Sequence, residues 1–363
     1  MSDYVQLFTG ICALSLLFAT ASMILVASNR TVDHNARAVF LFCIATVAVI
    51  TVFDWFDYVV CPTIPQLRGF HVGTMAFTFA LAPVLPVAIA HTIFPERYVK
   101  WVVVILVLQA LLEVATVFGG FVFWVDELNV YHRGPLYAAY MAVYSISALY
   151  LSYESIKAGR TYQSVNNLSI ACILLFLVSG VGVQVINPTI RTTWPTVVLV
   201  ITLYFVFYAE MVLRTDALTR LLNRRSYEDF LDRTRTPCAV VLIDVDNFKH
   251  VNDTYGHRYG DICLQTIAKL IRRAFGGAAL CFRTGGDEFT VMVTKHRDQT
   301  EEYVERLHEL VDKACSADPR LPTVSAGIAR SGADGVDLRA ALLQADANMY
   351  ETKRARKARA NTA

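Results

Sequence analysis

Seven mostly apolar stretches, at about 5–28, 37–60, 69–94, 100–124, 135–155, 167–187 and 193–213, crowd the first 212 positions of the chain. Each is long enough to cross a bilayer, which takes about 20 helical residues. Backbone placed in lipid must satisfy its own polar groups, so these stretches are expected to be helices. Composition agrees: 55% of the 363 residues are hydrophobic and the mean hydropathy is +0.42, too apolar for an ordinary water-soluble enzyme. The opening MSDYVQLF lacks the basic region of a cleavable signal peptide, so the first stretch is expected to be retained as a span. With the C-terminal part placed in the cytoplasm, Arg30, Arg37, Arg97, Lys100, Lys157 and Arg160 fall inside and Arg68, Arg133 and Arg191 outside. That bias predicts an outside N-terminus and an odd number of spans.

Ionisable residues inside such spans mark ligand sites or polar contacts between helices. Asp54 and Asp57, three apart beside Trp55 and Tyr58, share a helix face. Two readings stand: an outward-opening ligand or cation pocket with His71, or carboxylates reaching the interface among aromatic residues. For Glu113 and His91 the alternatives are hydrogen bonding between helices and a sensing role. The eight cysteines show no CxxC pair, and a net charge of +2 argues for neither nucleic acid nor an acidic partner. From Val200 to Asp216 no proline or glycine interrupts the chain, which predicts one helix continuing out of the last span.

Beyond that helix the composition changes. Arg283 to Phe289 reads RTGGDEF, between the apolar runs Ala279–Phe282 and Thr290–Val293. Gly285 and Gly286 predict a hairpin with a tight primed turn and positive φ angles. Bare backbone at its tip admits a bulky ligand, and Asp287 and Glu288 beside it can hold a divalent cation on that ligand's phosphates. Ala239 to Ile243 reads as a strand buried on both faces, ending at Asp244-Val245-Asp246. A carboxylate at a strand end can point into the cleft beside the hairpin, so Asp244 and Asp287 form the natural pair around Mg²⁺; Asp246 is expected to be structural. Helices are predicted over Glu301–Ala314 and Leu338–Arg356, and a strand over Thr323–Ala329. The order β-α-α-β-β-α-β-α predicts an α/β sandwich with a central antiparallel sheet.

Several separated motifs join the hairpin in one order. They are Asp216-Ala-Leu-Thr219, Asn223-Arg224-Arg225, IDVDNFKHVNDTYGH from Ile243 to His257, Gly260-Asp261, SAGIA from Ser325, and Ala345-Asp346 through Tyr350 to Lys353. On these residues the chain from about Arg214 to Ala360 resembles the GGDEF domain, the diguanylate cyclase module similar to the palm of nucleotide cyclases and polymerases. The resemblance implies two GTP joined into cyclic di-GMP with two pyrophosphates released, by a homodimer. It implies metal ligands at Asp244, the Val245 carbonyl and Asp287, with two Mg²⁺ in each active site and Mn²⁺ as a substitute. Catalytic roles fall to Asp287, Glu288 and Lys249. Guanine is read by Asn252 and Asp261, a carboxylate that accepts from donors adenine lacks on that edge. Phe248 packs under the nucleotide, His257 shapes the turn, Gly285 and Gly286 line the phosphates, and Arg283, Lys353 and Lys357 face phosphate, Arg283 alternatively a partner subunit.

Some positions depart from the resembled pattern. Arg220 stands where the family usually has glycine. Lys357 stands for its arginine, losing the bidentate fork, with Arg356 replacing the glycine before it. The product-inhibition RxxD would fall on Gly276-Gly277-Ala278-Ala279, which has neither residue, so no feedback by that route is expected. The domains are expected at 1–212, a transmembrane sensory bundle similar to bacterial seven-span sensors in span count and position, and 213–363, the cyclase. The location implied is the bacterial inner membrane, with the bilayer and GTP as partners and no nucleic acid. The leading alternative is a catalytically silent GGDEF module acting as a GTP-binding receptor or scaffold; a second is a transporter or channel with a nucleotide-sensing domain.

Overall fold

The computed structural model describes residues 3–93, 100–162, 191–234, 237–331 and 338–360, with isolated positions at 173, 175, 179 and 183. Its contacts divide it into two compact units, Met1–Gly159 with Val165–Glu210, and Arg160–Ser164 with Met211–Ala363. The main division lies within two residues of the expected boundary at 212.

The first unit is helical. Five segments among the described residues are long and apolar enough to cross a membrane: Asp3–Ser28, His34–Thr63, Pro65–Ile93, Lys100–Gly119 and Thr193–Arg214. Three of the seven expected spans change. The stretch at 135–155 is the 26-residue helix Tyr137–Tyr162, but Ser145, Ser147, Ser152, Glu154 and Ser155 dilute its apolar content and it is not among those five. The third span is two helices, Arg68–Leu81 and Val84–Ile93, broken where Pro83 has no N–H to give. The fourth stops at Gly119, because Gly120 adopts φ 65° and the chain turns into a short hairpin, β1 Phe123–Val125 paired with β2 Tyr131–Arg133. The stretch at 167–187 lies outside the described residues.

The acids of the apolar helices hold polar partners. Asp54 pairs with Arg191 at 2.7 Å, whose guanidinium lies 4.5 Å from the Tyr58 ring centre. Asp57 is 5% exposed and accepts from the Thr74 hydroxyl at 2.8 Å. His71 meets Asn129 at 2.9 Å, and Gln109 donates to Glu113 at 2.5 Å. The Gln109–Glu113 bond lies within one helix, whereas the other three join segments far apart in the chain.

The second unit is built on a four-stranded antiparallel sheet in the order β4-β5-β3-β6. Its strands are β3 Ala239–Val245, β4 Ala279–Arg283, β5 Glu288–Val293 and β6 Val324–Arg330. Ala239, Val241, Ile243 and Val245 pack one face of β3 against Leu264, Ile267, Ile271, Leu307 and Val311. Val240 and Met292 face the opposite layer, with Leu338, Ala341 and Ala345 of the final helix Leu338–Ala360. Burial on both faces is what the uninterrupted apolar run of β3 requires. The expected helices appear as Thr300–Ala317 and Leu338–Ala360, and the expected strand as β6. At Gly327 the final helix touches the sheet so closely that a Cβ would lie 2.1 Å from the Ala345 carbonyl oxygen. That seam fixes where the later residues of the helix fall.

Candidate active site

The site begins with strand register. β3 pairs Asp244 with Glu288 on β5 and with Ser325 on β6, and the Val245 N–H donates to the Asp287 carbonyl at 3.2 Å. Residues 43 positions apart thus meet at one sheet end. Burial pushes the Asp244 carboxyl above its ordinary range, Lys353 opposes that rise, and the charges of Asp287 and Asp246 add to it. Lys353 Nζ lies 2.5 Å from Asp244 Oδ1. Asp246 instead accepts from Thr323 Oγ1 at 2.8 Å and Ser325 Oγ at 2.7 Å, and from Arg356 at 3.3 Å. Its carboxylate ties β3, β6 and the final helix together, the structural part expected of it.

The hairpin tip is wider than a two-residue primed turn. Thr284 to Asp287 form the loop, closed by Thr284 and Gly285 N–H groups donating to the Glu288 carbonyl at 3.0 and 3.3 Å, and neither glycine has a positive φ. At Gly285 a Cβ would stand 2.6 Å from Oε2 of the exposed Glu288 side chain, which would have to turn aside. Around Gly286 nothing lies within 4 Å of where a Cβ would be, leaving open space beside Asp287.

Arg283 is held by groups of its own chain. Its guanidinium reaches Asp216 at 3.0 Å and the Gly286 carbonyl at 2.8 Å, joining the Asp216-Ala-Leu-Thr219 turn to the hairpin tip. Burial pushes the Asp216 carboxyl up, but hydrogen bonds from the Thr219 hydroxyl and N–H, with Arg283, hold it below its ordinary value.

On the other side, helix Phe248–Tyr255 is followed by Gly256 at φ 81° and helix His257–Phe275. Their close packing brings Asn252 and Phe248 against Gly260, where a Cβ would meet Asn252 Oδ1 at 2.0 Å. Asp261, exposed, follows at once. The two residues expected to read guanine are therefore neighbours on facing helices. Phe248 packs into the apolar clusters below them, while Lys249, His257 and Glu288 are exposed. The Lys357 side chain lies outside the described residues.

Among the described residues no cluster of three or more histidines, cysteines or acids stands ready to enclose a metal. The two carboxylates and one carbonyl at Asp244, Val245 and Asp287 nevertheless fit Mg²⁺, which takes few protein oxygens and fills its octahedron with water and substrate phosphate. Sequence reasoning missed Arg356, which donates to Asp246 and to the Val324 carbonyl. The signal was its spacing: three residues after Lys353, it lies on the same helix face.

Residues 213–359 match the family described as diguanylate cyclase, GGDEF domain. The probable diguanylate cyclase DgcT of Escherichia coli (strain K12) is 28% identical over 219 residues, 54% of this chain and 48% of the relative. Diguanylate cyclase DosC of the same strain is 31% identical over 193 residues, 50% of this chain and 39% of the relative. The chain thus spans about half the length of these relatives or less. The solved GGDEF domain of DgcB from Caulobacter crescentus, in complex with c-di-GMP, is 29% identical with a TM-score of 0.35, covering 39% of this chain and 91% of that one.

Proposed function

We propose that this chain, whose residues 213–359 are a GGDEF domain, is a membrane-anchored diguanylate cyclase converting two GTP into cyclic di-GMP and two pyrophosphates. The observation that carries the reading is the register that sets Asp244 opposite Glu288 and holds the Asp287 backbone on Val245 at 3.2 Å. Relatives bearing the name diguanylate cyclase support it.

Each protomer of a homodimer binds one GTP, and the two sites face across a two-fold axis. Asp261 accepts from guanine N1–H and N2–H₂ while Asn252 matches its remaining polar edge. Gly285 and Gly286 leave room for the triphosphate, and Lys353 and Lys357 bind its outer oxygens. Asp244, Asp287 and the Val245 carbonyl would hold a divalent cation, which would supply neutralisation of phosphate charge and a lowered 3′-OH pKa. Glu288, exposed beside the tip, takes the 3′-OH proton as that oxygen attacks the α-phosphate of the opposite nucleotide in line and pyrophosphate leaves. Asp287 shares that role, and Lys249 balances phosphate charge. Two such transfers close the ring, so turnover rises with the dimer population.

The five apolar segments among the described residues support anchoring in the bacterial inner membrane, and the charge bias supports an outside N-terminus with the cyclase in the cytoplasm. The membrane half regulates the enzyme in response to a signal. The window 276–279 carries neither arginine nor aspartate, so cyclic di-GMP does not inhibit through that position. Purified full-length protein incubated with GTP and Mg²⁺ should yield cyclic di-GMP and pyrophosphate, and Asp287→Ala should lower the rate at least about 100-fold. GTP binding without product would identify a silent receptor instead.

A further inference from the structure

We infer that Lys353 occupies the cation position of Asp244 until a nucleotide arrives, so that divalent metal and triphosphate enter the site together. This rests on the cyclase site proposed above and adds an order to its loading.

The Lys353 ammonium lies 2.5 Å from Asp244 Oδ1, with the two side chains 26% and 12% exposed. The charges of Asp244, Asp246 and Asp287 all act on it, so it sits where the negative field of the sheet end converges. A positive charge already there weakens the attraction these acids offer a second cation. A divalent ion must displace the ammonium or share Asp244 with it.

Lys353 is suited to leave. Its charge is compact and its four-carbon stem flexible. Arg356, one turn along the same face, differs: its guanidinium donates to both Asp246 and the Val324 carbonyl. One rung of the ladder between helix and strand ends is anchored at two points, and the other is a single ammonium on a single carboxylate oxygen. Phosphate oxygens of an incoming nucleotide can accept the ammonium's protons as it withdraws. Asp244 is then freed for a metal at the moment phosphate brings further oxygen ligands. Neither the acids nor the lysine is left buried and unpaired during the exchange.

Full-length protein is titrated with Mn²⁺, free ion being counted by its electron paramagnetic resonance signal. Titrations are run without nucleotide and with a GTP analogue carrying methylene between the α- and β-phosphates. Without nucleotide, Lys353→Gln and Lys353→Met should bind Mn²⁺ about tenfold more tightly than wild type, and Lys353→Arg should stay near wild type. Unchanged or weaker nucleotide-free affinity in both neutral variants would overturn the inference. A second measurement needs no variant. Mn²⁺ alone, at the concentration that saturates the wild-type chain in the presence of the analogue, should leave acetylation of Lys353 relative to exposed Lys269 unchanged, because the ammonium stays on Asp244; a rise would show that metal displaces it without nucleotide and would contradict the inference. Asp244→Asn separates the two levels. If it keeps nucleotide-supported Mn²⁺ binding, the metal role of Asp244 fails, and this inference with it.

Discussion

Arg220 holds a left-handed backbone conformation, φ 61°, that costs a residue with a Cβ about 1–2 kcal/mol. The turn needs it: the Arg220 N–H donates to the Asp216 carbonyl at 2.9 Å, and its own carbonyl accepts from Arg272 at 2.8 Å. This is the position where the resembled pattern has glycine, so the departure carries strain that the sequence showed only as a mismatch. Arg220→Gly should raise the stability of this unit by up to about 1 kcal/mol, read by hydrogen exchange in the full-length chain. Nearby, Asp216 is held below its ordinary pKa by Thr219 and Arg283 against the effect of burial. A carboxylate depressed on folding contributes stability that is fully present above its unfolded value near pH 4 and is lost as pH falls through the folded value. Asp216→Asn should therefore be about 1 kcal/mol less stable than wild type at pH 7, with the gap closing as pH falls below the unfolded value of about 4. A gap independent of pH would show that the ion pair is not its source. At this scale the acids at 244 and 287 were legible, because each ends an apolar run whose strand character is local. The partners of Arg283 and Arg356 were not, since both depend on elements far away in the chain.

The strands and helices of the second unit were largely written in the apolar periodicity. Two local geometries were not. Paired glycines suggested a primed turn, whereas the hairpin uses four loop residues, closed by the Thr284 and Gly285 N–H groups on the Glu288 carbonyl. Gly327 lies inside the SAGIA motif, but nothing in the sequence showed that the final helix meets β6 there. Gly327→Ala would force a methyl group into backbone atoms of residues 345 and 349, and overpacking of this kind costs about 1–3 kcal/mol or more. Faster amide exchange in β6 and the final helix, together with lower cyclase turnover, should follow, because Lys353 and Arg356 ride on that helix. Wild-type exchange and turnover would mean the seam yields without moving the site. In the first unit, hydropathy located apolar helices but not their breaks. Pro83 and Gly120 divide or end helices through backbone properties that a count of apolar residues averages away.

At the scale of the whole molecule, a helical unit rich in apolar segments precedes an α/β unit whose sheet end gathers three acids, and helix Thr193–Arg214 spans the boundary between them. Composition announced that division before any motif was read, since the hydrophobic excess and the GGDEF hairpin lie on opposite sides of it. The pairings of Asp54 with Arg191 and Asp57 with Thr74 were beyond sequence, because segments distant in the chain choose their neighbours only when packed. The central claim is that Asp244 and Asp287 grip one cation on a guanosine triphosphate. An experimental structure of the full-length protein with Mg²⁺ and the non-cleavable GTP analogue tests it most directly. It should show oxygens of both carboxylates at about 2.0–2.1 Å from one Mg²⁺, with the guanine edge against Asn252 and Asp261. A nucleotide seated elsewhere, or a Mg²⁺ reached by only one of the two acids, would contradict the account.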